Sequence, residues 1–186
     1  MNAVINTIKK RRSIRFYEDK PVPKALLEQI IDAGNLAPTG SRQQWRFVVV
    51  TDKGFRGALK EKAIPRYESW MERFGSPAFK QIREPLDALD DPIYYNAPAI
   101  IFIIGIGPVA PSDTPLVAQN VILAAESLGL GTCYDYFGQL PIDDPEVKER
   151  LALEEGETIC GPILVGYPSP DQPPAIPKKS SVVSWI

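Results

Sequence analysis

The sequence predicts an α+β domain in which helices flank a mixed central sheet, an α/β/α sandwich in outline. Three observations carry this. Continuous apolar runs of strand length recur along the chain, and segments with helical spacing of apolar residues separate them. The chain has 186 residues, 44% of them apolar and 24% charged, which suits one domain with a substantial core. No internal repeat or low-complexity tract interrupts it, so residues 1–186 are expected to form a single domain.

Taken in order, Asn2 is a plausible N-cap for a first helix of about two turns, with Val4, Ile5 and Ile8 on one face. A basic stretch ends it: Lys9-Lys10-Arg11-Arg12-Ser13-Ile14-Arg15-Phe16-Tyr17. Two readings stand beside each other here. Cations complement the negative end of a helix dipole. Three arginines and a serine also match the oxygens of a phosphate, through guanidinium forks and a hydroxyl donor.

Residues 24–33 carry Leu26, Leu27, Ile30 and Ile31 on one face, begin near Pro23 and end at Gly34, which predicts a second helix. A turn-rich segment, Ala37-Pro38-Thr39-Gly40-Ser41-Arg42, leads into a strand over 45–51. Residues 54–64 predict a third helix that stops before Pro65. Residues 65–91 scatter Trp70, Met71, Phe74 and Phe79 among charges and prolines, and read as short helices forming a lid or cap. A buried strand follows over 96–106. Its Gly105-Ile106-Gly107 end lacks the third glycine and the helix that a dinucleotide fingerprint needs, so a Rossmann site is excluded.

Residues 114–128 form the clearest helix, with Asp113 or Thr114 as cap, Pro115 in the first turn and Gly129 beyond the end. Its apolar residues cover most of the circumference. Burial within the chain and a subunit interface both account for that. A strand over 132–136, a short helix over 144–153 and a last strand over 158–166 complete the domain. The proline-rich tail from 167 to 186 has no helical or alternating period until Val182-Val183, which predicts an extended segment lying across another surface, such as a second subunit.

Composition limits the chemistry. The chain has no histidine, which removes histidine-based nucleophilic catalysis and HExxH zinc sites and leaves no motif for a metal. Cys133 and Cys160 are too far apart for a CxxC motif and read as small buried side chains. A net charge of −2 argues against a broad nucleic-acid surface. The longest apolar run is too short to span a bilayer, and Met1 leads into an amphipathic helix, not into the apolar core of a signal peptide. A cytoplasmic protein without membrane or nucleic-acid partners is the expectation.

Five stretches in one order resemble the FMN-dependent nitroreductase family. They are 10–15 (Lys-Arg-Arg-Ser-Ile-Arg), 37–40 with 44–47 (Ala-Pro-Thr-Gly and Gln-Trp-Arg-Phe), 118–120 running on to 129–133 (Ala-Gln-Asn and Gly-Leu-Gly-Thr-Cys), 165–168 (Val-Gly-Tyr-Pro) and 177–179 (Pro-Lys-Lys). The resemblance implies the nitroreductase fold, a homodimer with FMN at its interface, and NAD(P)H as electron donor. It implies that Arg11 and Ser13 hold the FMN phosphate, helped by Lys178 or Lys179, that Arg15 reaches the pyrimidine edge, and that Arg12 contributes backbone. It also implies that Pro38, Thr39, Gly40 and Ser41 approach the same FMN from the partner subunit. Residues 132–135, Thr132 and Cys133 among them, are to line the ring.

Two departures stand out: the loop lacks the asparagine usual before Arg42-Gln43, and Lys178-Lys179-Ser180 replaces Arg-Lys-Pro, so phosphate contact there is by point charge. No side chain is expected to act as a catalytic acid or base, because the flavin carries the chemistry. The implied reaction is two-step hydride transfer from NAD(P)H through flavin N5 to a small acceptor such as a nitroaromatic, quinone, enone or flavin. A flavin-binding module without turnover and a specialised reaction such as reductive dehalogenation are the alternatives.

Overall fold

The structure is a computed structural model that describes every residue except Met1, Ser41, Ala175, Ile176, Lys179, Ser180 and Ile186. The elements run α1 (Ala3–Lys10), α2 (Lys24–Asn35), β1 (Trp45–Val50), α3 (Lys53–Phe74), α4 (Pro77–Asp87), β2 (Ala99–Ile106), α5 (Ala110–Ser127), β3 (Gly131–Tyr134), a 3-10 helix (Phe137–Asp143), α6 (Pro145–Arg150) and β4 (Glu157–Gly166).

The sheet has the order β1-β2-β4-β3, and all three pairings are antiparallel. The sheet is therefore antiparallel and not mixed as expected, since its neighbouring strands all pair in opposite directions; a single isolated parallel bridge joins Ser13 to Thr132 outside the strands. Alternation along β2 divides the core. Ile100, Phe102 and Ile104 face the layer that includes α3, whereas Ala99, Ile101 and Ile103 face α2 and α5. The sheet is therefore covered on both sides, which is why β2 reads as one unbroken apolar run.

Three helix boundaries differ from the sequence expectation: the short helix expected over 144–153 ends at Arg150, and α3 and α5 differ as well. α3 continues through Pro65 to Phe74, because Phe55, Leu59, Ala63, Tyr67 and Met71 form one buried stripe at four-residue spacing on both sides of the proline. Pro65 itself faces solvent. α5 begins at Ala110, and neither Asp113 nor Thr114 caps it. Both side chains are buried inside its first turns, where Thr114 Oγ1 donates to the Ala110 carbonyl at 2.7 Å. Gly105 permits this start, since a Cβ there would lie 2.4 Å from that of Ala110. Residues 65–91 resolve into the second half of α3 and the whole of α4.

The two readings of α5 each hold for part of it. Val117, Ala118, Val121, Ile122 and Ala125 are buried within the chain, while Leu116 remains 45% exposed. Leu123 and Ala124 border an apolar groove shared with Ala3 and Val4 of α1 and with Leu36. α1 buries none of its residues; Val4, Ile5 and Ile8 are all exposed.

Candidate active site

The basic stretch is held at the sheet edge by backbone. Ile14 N donates to the Thr132 carbonyl at 2.8 Å, extending the sheet beyond β3 by one bridge. Ile14 is buried against Gly131, where a Cβ would fall 2.7 Å from Ile14 Cγ1. The glycine is required by this close approach and not by any turn. With Ile14 turned inward, its neighbour Ser13 is exposed, and Arg11, Arg12 and Arg15 are half-buried. Among the described residues no carboxylate forms an ion pair with any of these three arginines. Arg11, Arg12 and Arg15 thus lie in one short stretch that backbone pairing holds at the sheet edge, with no carboxylate ion-paired to them among the described residues.

The start of the tail reinforces the corner. Glu18 N donates to the Tyr167 carbonyl at 2.9 Å, and Ser169 N donates to the Phe16 carbonyl at 3.0 Å. Gln172 accepts from Arg15 N at 3.4 Å and donates to the Phe16 carbonyl. Sequence reasoning missed Gln172, and nothing in a proline-rich tail distinguishes it. Gly131 carried a signal in the Gly-Leu-Gly run, without a stated role.

Thr132 and Cys133 are both buried in β3. Burial pushes the Cys133 thiol up to about 12, and the neighbouring Arg15 guanidinium offsets this only in part. The thiol is protonated and unreactive at neutral pH. Lys178 is exposed, and Lys179 lies outside the described residues.

The loop containing Pro38, Thr39 and Gly40 is not brought to this corner within one chain; Ser41 lies outside the described residues. It precedes β1, whereas the basic stretch joins β3, and these strands occupy opposite edges of the sheet. Thr39 Oγ1 donates to Asp113 Oδ2 at 2.9 Å and lies 3.1 Å from the Arg42 carbonyl, so this hydroxyl is committed within its own chain. Among the described residues no group of three or more His, Cys, Asp or Glu side chains is placed to hold a metal. No helix among them is long and apolar enough to cross a membrane.

The sequence profile of the nitroreductase family matches residues 8–167, which include the whole sheet and the basic stretch. The chain belongs to the nitroreductase family. It is 31% identical over 180 residues to an NADPH-flavin oxidoreductase of Vibrio harveyi, covering 95% of this chain and 71% of that one. It is 24% identical over 191 residues to an iodotyrosine deiodinase of Thermotoga neapolitana, covering 100% of this chain and 98% of that one. Among solved structures, a nitroreductase from Bacteroides fragilis with bound FMN superposes with a TM-score of 0.79 at 27% identity, covering 100% of this chain and 99% of that one. The nitroreductase fold expected from the five ordered stretches is thus the fold observed.

Proposed function

We propose that this nitroreductase-family chain is an FMN-dependent oxidoreductase that passes reducing equivalents from NAD(P)H to a small acceptor such as a quinone, nitroaromatic, enone or flavin. The observation that carries the reading is the half-buried stretch Arg11, Arg12 and Arg15 around Ser13, pinned to β3 by backbone pairing and without a carboxylate ion pair among the described residues. Half-buried cations with no carboxylate partner among the described residues fit an anionic ligand such as FMN, whose phosphate and reduced ring both carry negative charge. FMN held there would supply the two-electron hydride chemistry of its N5 position.

The chain's own residues bind and orient. Arg11 and Ser13 hold the phosphate, joined by Lys178 or Lys179 of the tail, and Arg12 adds its backbone N–H. Arg15 stands at the pyrimidine edge, where its charge stabilises the negative charge of the reduced ring. Thr132 and Cys133 flank the ring as buried, uncharged groups. Pro38, Thr39, Gly40 and Ser41 reach the site from a second copy of the chain. Because the Thr39 hydroxyl is already bonded to Asp113, that loop contributes backbone groups.

The homodimer is supported by the placement of the loop and the basic stretch at opposite edges of one sheet. The apolar residues that α1 and α5 leave exposed support it as well. A cytoplasmic location completes this reading.

Reductive dehalogenation of an aryl halide, two electrons and a proton replacing the halogen and releasing halide, is a second reading. The full-length match to a deiodinase favours it.

The test is anaerobic titration of the FMN-loaded protein with NADH and NADPH. Bleaching of the flavin absorbance by either is expected, and bound flavin that stays oxidised identifies a binding module without turnover. Arg11→Ala combined with Ser13→Ala is expected to release FMN without unfolding the chain, its thermal melt matching that of flavin-free wild type. A colourless, monomeric protein that takes up no added FMN overturns the proposal. Halide release from an iodophenol during turnover would select the second reading.

A further inference from the structure

The cap over residues 65–91 is bonded to the core in a way that a free lid is not. Arg83 of α4 is only 5% exposed. Its Nε donates to Tyr67 Oη of α3 at 2.9 Å, its Nη1 donates to Tyr95 Oη at 2.6 Å, and its Nη2 donates to the Pro92 carbonyl at 2.6 Å. Asp87, one turn further along α4, adds an ion pair at 3.0 Å. One guanidinium therefore joins α4, α3 and the segment before β2. Burying a charge is costly unless it is well paired, and each of the three nitrogens here has a partner.

The guanidinium also lies over Phe137, with its carbon 5.5 Å from the ring centroid. Phe137 packs edge-on against Trp70 of α3 at 5.0 Å and against Tyr136 at 5.3 Å. Tyr136 is two residues beyond the end of β3, the strand that Ser13 joins through Thr132. It is 58% exposed, as is Phe74 at 59%, and both contact Trp70. An aromatic wall thus runs from the cap to the end of the strand that carries the basic corner, with Arg83 behind it.

We propose that Arg83 is a positioning residue for acceptor binding: by joining α4 to Tyr67, Tyr95 and Phe137 it keeps the aromatic wall of Trp70, Phe74 and Tyr136 assembled before the acceptor arrives. The inference rests on the oxidoreductase reading above. The chemistry of the wall fits a flat ring docking against aromatic faces. A preassembled wall spares the acceptor the entropy of ordering it, so loosening the wall weakens acceptor binding and leaves flavin reduction alone.

The test compares wild type, Arg83→Met, Arg83→Lys and Tyr95→Phe, each loaded with FMN, using 1,4-naphthoquinone and ferricyanide as acceptors. Ferricyanide takes electrons without docking a ring and reports on the flavin alone. For Arg83→Met the KM for naphthoquinone is expected to rise about tenfold, with the ferricyanide rate and the rate of bleaching by NAD(P)H within about twofold of wild type. Tyr95→Phe deletes one acceptor of the network and keeps the ring, so a rise of about threefold in the same direction is expected, with Arg83→Lys between the two. If Arg83→Met fails to fold, Tyr95→Phe carries the test. An unchanged naphthoquinone KM in the folded variants, or equal losses with both acceptors, overturns the proposal and leaves Arg83 a stability residue. Failure of the oxidoreductase reading looks different, because the wild type would then not bleach. In that case amide exchange over 77–87 in flavin-free protein still reads the lock, which stands if Arg83→Met speeds it and falls if it does not.

Discussion

Asp135 is a carboxyl placed where its charge is expensive. It is 4% exposed, Oδ1 accepts from Phe137 N at 3.1 Å, and Oδ2 has no partner among the described residues. Gly138 makes room for Oδ2, since a Cβ there would lie 2.7 Å from it. Burial pushes the carboxyl up from its ordinary 3.8 to about 7, with the Phe137 amide and the Arg83 charge opposing the rise. The folded chain therefore holds a proton that the unfolded chain releases. Stability contributed by this group falls as pH climbs from about 4 to about 7 and stays lowered above that. The full cost is on the order of 4 kcal/mol at about 1.4 kcal/mol per pH unit. Asp135→Asn keeps an oxygen for the Phe137 amide and removes the ionisation. Urea unfolding across this range should show the variant losing less stability between pH 4 and 7 than the wild type. Parallel curves for the two proteins would remove Asp135 as the source. Nothing in the run Cys133-Tyr134-Asp135-Tyr136 announces this burial, because an aspartate after a strand is an ordinary loop residue until the chain folds back over it.

At the scale of elements, α3 shows a proline overridden by packing. Proline inside a helix costs about 3 kcal/mol relative to alanine, through a lost N–H donor and a clash with the preceding turn. The stripe of Phe55, Leu59, Ala63, Tyr67 and Met71 outweighs that, and Asp52 caps the start by accepting from Phe55 N at 2.7 Å. Pro65→Ala is expected to stabilise the protein by roughly 1–3 kcal/mol, since Pro65 is exposed and touches no core function. A raised urea midpoint with an unchanged m-value is the reading that checks it. The five-residue stripe was visible in the sequence, at four-residue intervals across the proline. Ending the helix at residue 64 gave the local breaker priority over a pattern that runs past it. α2 and β1, by contrast, were legible to within a residue or two, because their apolar patterns and terminating residues agree.

The whole molecule has a basic corner on one sheet edge and the Pro38 loop on the other, and its tail ends exposed. Val183 is 98% and Trp185 91% exposed. Apolar side chains in that position, with α1 and α5 also presenting exposed apolar residues, fit the second copy proposed above. Removal of residues 182–186 is expected to shift the protein from dimer to monomer in sedimentation velocity and to weaken FMN retention with it. A full-length monomer, or a truncated chain that stays dimeric, would contradict this.

What the sequence determined by itself is most of the local elements and the family. These rest on spacing, capping and ordered motifs, which act over a few residues. Only the tertiary structure decided that Ile14 turns inward against Gly131, that Gln172 returns from the tail to hold Arg15, and that Thr39 is bonded to Asp113. It alone decided that Arg83 is the buried tie of the cap. Each of these depends on residues far apart in the chain meeting through sheet register and layer packing, and burial and hydrogen bonding at such meetings have no signature within a local window of sequence.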